Sequence, residues 1–347
     1  MDRTTARLLD TAAADARRRF EGGSARHRAA MAAFPAGRRL ELAPLHFVLP
    51  ESRRCLLDLF AGTGFVSGSL GRFFESTVLV EPHVEPAVAD GGKLRRYQAC
   101  ALSASSFKSL AKADLAVCLA GLHHVLGPGS PEDRASHRQQ RLEAMRLWRS
   151  RLASGGRLVI ADVPAPGTKT GWAEGPLDGL SNEPQSRQSS NTFSVPDGLA
   201  EFTEALACSR LRDYLARMTS LSQELGLGEA EPATFFDRVV SRLSPYGHVA
   251  CFNSPWELAD LFREAEFENV RAFVAPTPWL FPSKAEAVWF VHELLGIGQP
   301  CGTAENLPTH EREPVEGGIF DYLGLRQLPD GFWVVSWKLM YVVGDRP

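Results

Sequence analysis

Three observations predict an α/β fold built on a doubly wound sheet. Short apolar runs stop at glycine or acidic residues, helical stretches separate these runs, and the chain holds ample apolar material for a large core. It has 347 residues, 44% hydrophobic and 23% charged, an ordinary globular composition that excludes disordered and fibrous classes. At about 150 residues per domain this is long for one minimal domain and short for two, so one domain with large insertions is expected.

The elements follow in order from Leu40. Cys55-Leu56-Leu57-Asp58-Leu59-Phe60 reads as a buried parallel strand ending at glycines. A helical stretch follows Gly64, Thr77-Val78-Leu79-Val80-Glu81 is the second strand, and a weakly patterned third apolar element lies near residues 97–102. The fourth strand spans 114–120, a polar helix over 132–152 runs to the glycine stop Gly155-Gly156, and 157–163 is the fifth strand. Residues 164–195, rich in Gly, Pro, Ser, Asn and Gln, form a long loop. Apolar spacing from Leu199 to Leu225 predicts a helix or helix pair, and another helix covers 235–243. Ser254 as N-cap and Pro255 at the first helical position open a further helix, followed by a strand at 270–274. A helix near 285–295 and a final strand at 332–343 complete the chain.

Lys+Arg total 38 against Asp+Glu 41, a net charge of −3, so no global basic field attracts nucleic acid. The first 40 residues are the exception, with nine arginines against Asp2, Asp10, Asp15 and Glu21. The four acids argue against a transit peptide, and the expected form is an amphipathic capping helix with a solvated arginine face. The six cysteines are dispersed without a CxxC pair, which points to neither a zinc site nor a disulfide framework. No apolar run reaches the ~18 residues of a membrane span and no signal peptide is evident, so a reduced, cytoplasmic protein is expected.

Asp58-Leu59-Phe60-Ala61-Gly62-Thr63-Gly64 joins the first strand to a helix, where small residues let backbone N–H groups approach a ligand. Glu81 ends the second strand, where a carboxylate can accept both hydroxyl hydrogens of a ribose. A nicotinamide dinucleotide site uses similar parts, but its third glycine position falls on Ser67, and Asp58 lies in the space of the pyrophosphate, which it would repel. Beside an amino acid's ammonium group the same carboxylate is attractive.

With these motifs the sequence resembles the class I S-adenosylmethionine-dependent methyltransferases. Asp58, Gly62 and Gly64 match acidic-x-G-x-G-x-G, with Phe60 in place of the first glycine, and Glu81 matches the ribose-binding acid. Leu122-His123-His124-Val125 matches the segment after strand four in many small-molecule members, and 152–158 matches the turn into strand five. The resemblance covers roughly 50–163, 254–275 and the last strand. It implies a Rossmann-like methyltransferase fold: a mostly parallel seven-stranded sheet with an antiparallel last strand and a helical lid. The implied organisation is an N-terminal helical cap at 1–45, a cofactor-binding core at 46–163, a lid at 164–253, and the rest of the core at 254–347 with a second insertion at 276–331.

The implied cofactor is S-adenosylmethionine, with Asp58, Phe60, Ala61, Gly62, Gly64, Glu81, Pro82, Ser103 and Leu122 as binding residues and no metal. Phe60 puts a ring where the family has backbone clearance, so the methionine end sits differently or packs against it. The family's usual adenine-reading Asp is absent from Cys100-Ala101-Leu102-Ser103, leaving Ser103 or backbone groups. Catalytic candidates are His123 or His124 as a general base, Asp162 to orient a substrate amine or hydroxyl, and Tyr246. Loop packing or helix capping is the alternative for the two histidines and for Asp162. Trp172, Phe193, Tyr214, Tyr246, His248, Trp279 and Phe281 lie in or beside the insertions. Collectively they suggest an apolar covered pocket in which rings attract a sulfonium, though singly each is better read as ordinary core packing.

The leading expectation is methyl transfer to a small-molecule oxygen, nitrogen or carbon, as in secondary metabolism. The alternative keeps the cofactor but cyclises its aminobutyrate arm to azetidine-2-carboxylate, releasing methylthioadenosine. Nucleic-acid or protein modification, or a silent cofactor-binding module, forms a third class. The chain lacks the Asn/Asp-Pro-Pro-aromatic stretch of base-modifying amino methyltransferases, having Ala120-Gly121-Leu122-His123 instead. A small-molecule partner, no nucleic acid, no membrane and a homodimer complete the expectations.

Overall fold

The computed structural model describes residues 24–34, 36–82, 93–98, 100–103, 110–126, 133–174, 200–227, 230–241, 250–297 and 322–347, with Leu9 and Phe107 besides. An N-terminal helix Ser24–Ala33 (α1) and a short helix Ala43–His46 (α2) precede Cys55–Leu59 (β1) and Phe65–Leu70 (α3). Ser76–Glu81 (β2), Leu94–Gln98 (β3) and Ala113–Leu119 (β4) follow, then a 3-10 turn Leu122–His124, Arg134–Arg149 (α4) and Leu152–Asp162 (β5). Next come Gly171–Glu174 (β6), Ala200–Leu206 (α5), Leu211–Glu224 (α6) and Pro232–Phe235 (α7), the last running into a π turn Phe236–Val240. Pro255–Glu264 (α8), Glu268–Pro276 (β7), Trp279–Phe281 (β8), Lys284–Leu295 (α9), Leu325–Gln327 (β9), Trp333–Val335 (β10) and Lys338–Asp345 (β11) end the chain.

The main sheet has the order β3-β2-β1-β4-β5-β11-β7-β6. β1 to β5 pair in parallel, while β11 runs antiparallel between β5 and β7. The expected doubly wound, mostly parallel seven-stranded sheet with an antiparallel last strand is therefore present. Beyond it, β6 from the expected lid adds an eighth strand antiparallel to β7. Strand alternation sends side chains to opposite faces. Leu56, Val117, Val159, Phe273 and Tyr341 face a core shared with α1, α2, α3, α6 and α9. Leu57, Ala116, Cys118, Ile160, Val274 and Val342 face a second core shared with α4 and α8. Helices thus cover both faces, and each fully buried large apolar side chain contributes about 1.5–3 kcal/mol.

Several boundaries differ from expectation for local reasons. β3 starts and ends earlier than the expected 97–102, overlapping it only at 97–98, because Cys100–Ser103 closes a turn, with Ser103 N donating to Cys100 O at 2.9 Å. The polar helix starts after Asp133, whose carboxylate caps Ser136 N at 3.0 Å, and ends at Arg149 rather than at the glycines. Gly155-Gly156 lies inside β5, where the register with β4 shifts. The final strand is broken in two: β10 joins β8 and β9 in a small separate sheet, and Ser336 N donates to Gly324 O at 3.2 Å before β11 begins. The Ser254 cap is a reciprocal box, with Glu257 N on Ser254 Oγ at 3.2 Å and Ser254 N on Glu257 Oε2 at 2.7 Å.

The expected solvated arginine face of the N-terminal cap is corrected for two of its members. Arg26 is 6% exposed and Arg38 8%. Arg38 grips Glu41 with bonds of 2.9 and 2.6 Å, and Trp279 Nε1 donates to the same carboxylate at 2.7 Å. Arg26 bonds Glu293 at 3.1 and 2.9 Å. The acidic partner of Arg26 lies far away in sequence, which hides this burial from local charge counting. Arg3, Arg7 and the run Arg17-Arg18-Arg19 lie outside the described residues. Among the described residues all five cysteines are free thiols, no cluster suits a metal ion, and no helix is long and apolar enough to cross a membrane. Cys301 is not among them.

Candidate functional site

The carboxyl ends of β1, β2, β4 and β5 lie side by side, so the loops leaving them share one rim, as ligand sites do in open α/β sheets. After β1 the chain turns sharply: Phe60, Gly62 and Gly64 all adopt left-handed backbone, with φ of 54°, 53° and 82°. Glycine reaches this region without the Cβ penalty, which is why the sequence carries glycine at two of the three positions. Gly64 caps α3, with its N–H on Ala61 O at 2.8 Å. Gly62 N donates to Glu81 Oε2 at 3.0 Å, tying the loop to the end of β2. Pro82, next along, is partly buried on the same rim.

Asp58 is 1% exposed beneath the loop, and its Oδ2 accepts from Ser67 N at 3.0 Å and Ser67 Oγ at 2.6 Å. Burial pushes its carboxyl up to about 7; the Ser67 bonds oppose the shift and the charge of Glu81 adds to it. It braces the first turn of α3 and holds a negative charge in reserve under the loop. Ala61 is buried, its N–H on Val80 O at 3.3 Å.

Phe60 keeps the backbone shape a glycine would supply, at a steric cost of about 1–2 kcal/mol for a non-glycine residue. Its ring turns toward the α4 face, edge-on to Trp148 at 6.2 Å and across Gly121, where an added Cβ would lie 2.9 Å from Phe60 Cβ and Cγ. At the end of β4, Ala120 also has positive φ, 52°. Non-glycine residues held this way at two adjacent strand ends are a pattern typical of functional rims.

His123 is 4% exposed and pairs with Asp162 across the β4 and β5 ends, Nδ1 to Oδ1 at 2.5 Å. The same carboxylate accepts from His123 N at 2.9 Å and Val163 N at 2.7 Å. With Asp162 as acceptor of all three bonds, the tautomer that fits the contact has its proton on Nδ1 and its lone pair on Nε2. His124 is less buried, its ring 3.9 Å from that of His123. Leu122 is buried in the α4-side core. Ser103 is partly buried in the turn after β3, which Trp148 pins by donating Nε1 to Ala101 O at 2.8 Å.

Tyr246 lies outside the described residues, as do Phe193 and His248. Tyr214, Trp279 and Phe281 are fully buried core residues, the plainer of their two readings. Three further groups at the rim carry no mark in the sequence. Phe236, at the start of the π turn, and Phe252 each hold a ring 5.6 Å from His123 and 5.5 Å from each other. Buried Arg141 of α4 fixes the Phe252 segment by bonding Val125 O at 3.1 Å, Cys251 O at 2.5 Å and Asn253 Oδ1. The last is His27 of α1, whose Cε1 lies 3.4 Å from where a Cβ on Gly62 would stand. Only the π turn has a local origin, and helical periodicity does not reveal it.

No family model matches the sequence, and no curated protein does. The chain is similar in structure to the YcgJ protein of Bacillus subtilis, at 12% identity and TM-score 0.42 over 88% of this chain and 98% of that one. It is also similar to a SAM-dependent methyltransferase of Thermotoga maritima, at 14% identity and TM-score 0.43 over 96% and 99%. An O-methyltransferase family protein of Burkholderia thailandensis is 11% identical, with TM-score 0.35 over 89% of this chain and 55% of that one. At such identities and TM-scores the function rests on the site alone.

Proposed function

We propose that this chain binds S-adenosylmethionine in the loop after β1 and transfers its methyl group to a small-molecule oxygen, nitrogen or carbon nucleophile. The observation that carries the reading is the gathering, on one sheet rim, of the Gly62–Glu81 contact and the His123–Asp162 pair. Glu81 takes the ribose hydroxyl hydrogens, and the turn of Ala61, Gly62 and Gly64 lets the backbone approach the cofactor. The charge of Asp58 favours the cofactor's ammonium group.

The cofactor supplies an electrophilic methyl on sulfur. The chain aligns the acceptor in line with it and keeps water out. His123 Nε2 removes the acceptor's proton as the new bond forms, and Asp162 holds the imidazole in the required tautomer and stabilises the imidazolium. Phe236 and Phe252 cover that proton transfer, and their segments belong to the insertion we assign as the lid.

Incubation with S-adenosylmethionine and a panel of small hydroxyl, amine and activated-carbon acceptors tests this. S-Adenosylhomocysteine formed only when an acceptor is present is the expected product. Methylthioadenosine formed without any acceptor would overturn methyl transfer in favour of intramolecular cyclisation.

A further inference from the structure

Arg26 anchors α1 to the carboxyl end of α9. Its guanidinium bonds both Glu293 oxygens, at 3.1 and 2.9 Å, and also reaches His292 O at 3.3 Å and Ile297 O at 3.0 Å. Below it, the Phe34 ring meets Phe281, Trp289 and Phe290 edge-on at 5.8, 5.9 and 6.2 Å. α1 is therefore held firmly, from outside the sheet, in a fixed rotation.

One residue further along α1, about 100° around the helix, His27 lies over the glycine loop. Its Cε1 and Nδ1 stand 3.4 and 3.9 Å from a Cβ position on Gly62. Gly62 is the residue whose N–H holds Glu81. His27, Gly62 and Glu81 thus form one contiguous group contributed by the cap, the loop after β1, and β2. Burial, then the charges of Arg38 and Arg28, lower the His27 imidazole to about 4, so at neutral pH it is an uncharged ring with one donor and one acceptor nitrogen. Such a ring can stand close to a sulfonium without repulsion and exchange a hydrogen bond with a sugar hydroxyl. An imidazolium would meet that cation with like charge.

We propose that His27 is a cofactor-binding residue on the ribose side of the site, and that the Arg26–Glu293 latch holds α1 closed over bound S-adenosylmethionine. This rests on the proposed use of that cofactor. The cap then lengthens the residence time of the cofactor beyond what the glycine loop and Glu81 provide.

The test measures S-adenosylmethionine dissociation by stopped flow from the full chain and from His27→Ala and Glu293→Gln, together with hydrogen exchange of residues 24–33 in the unaltered protein with and without cofactor. His27→Ala is expected to release cofactor about tenfold faster, the size of one lost neutral hydrogen bond, and Glu293→Gln, which removes the charge from the Arg26 latch, is expected to release it faster as well. Exchange across α1 is expected to slow on binding, and that arm does not depend on a variant folding. If the unaltered protein binds cofactor but α1 exchange is unchanged and both variants release it at the original rate, the inference is overturned while the cofactor reading stands. No binding by the unaltered protein would overturn both.

Discussion

Replacing Asp58 by asparagine removes a buried charge while leaving an oxygen to accept the Ser67 N–H and Oγ–H bonds. In the folded protein the Asp58 carboxyl is raised from the ordinary 3.8 to about 7, chiefly by burial. The folded state therefore binds more protons than the unfolded state between about pH 4 and pH 7, and the stability contributed by this group falls as pH rises through that window. A displacement of about three pH units at about 1.4 kcal/mol each sets the ionisation penalty at up to about 4 kcal/mol above pH 7. The neutral amide of Asp58→Asn carries no such penalty. Urea unfolding of both proteins at pH 4 and pH 8 should show the stability of Asp58→Asn rising relative to the unaltered protein by a few kcal/mol at the higher pH, with little change from this source at pH 4. A cation bound above the loop prefers the ionised carboxylate. Cofactor affinity of the unaltered protein should therefore rise from pH 5.5 to 7.5, and that of Asp58→Asn should stay nearly flat. Parallel stability curves for the two proteins would refute the buried-charge reasoning.

His123→Ala is expected to lower kcat by about 10²–10⁴-fold, the range of a lost general base, with cofactor Kd unchanged by titration. Asp162→Asn should also lower kcat, because an amide no longer enforces the Nδ1–H tautomer; an unaltered pH–rate profile in that variant would argue against a base. Gly121→Ala drives a Cβ to 2.9 Å from Phe60, so a loss of about 1–3 kcal/mol in urea stability is expected from overpacking, with disturbance of the neighbouring glycine loop.

The parts of the site legible in the sequence are those set by local chain geometry. Gly62 and Gly64 appear as glycines because their backbone is left-handed, and Glu81 can be placed because a strand of known length carries it to the rim. His123 and Asp162 are both recognisable as rim residues, yet their 2.5 Å bond depends on the β4–β5 register, which no local pattern encodes. His27 and Phe252 are invisible for a stronger reason: tertiary packing delivers them, through the Arg26–Glu293 and Arg141 contacts across 267 and more than 100 residues of chain. The eighth strand is hidden because β6 spans four residues inside a stretch rich in loop-forming types. Phe60 departs from the glycine pattern in identity but not in conformation, and only the φ angle discloses that.

Titration of the unaltered protein and of Glu81→Ala with S-adenosylmethionine shows whether the rim formed after β1 and β2 is the cofactor site. Glu81 joins β2 to the glycine loop and would accept the ribose hydroxyls, so losing hydrogen bonds to a charged acceptor should weaken binding by about tenfold or more. One cofactor is expected to bind per chain of the unaltered protein, with that weakening in the variant. Absence of binding in the former, or equal affinity in both, would contradict it.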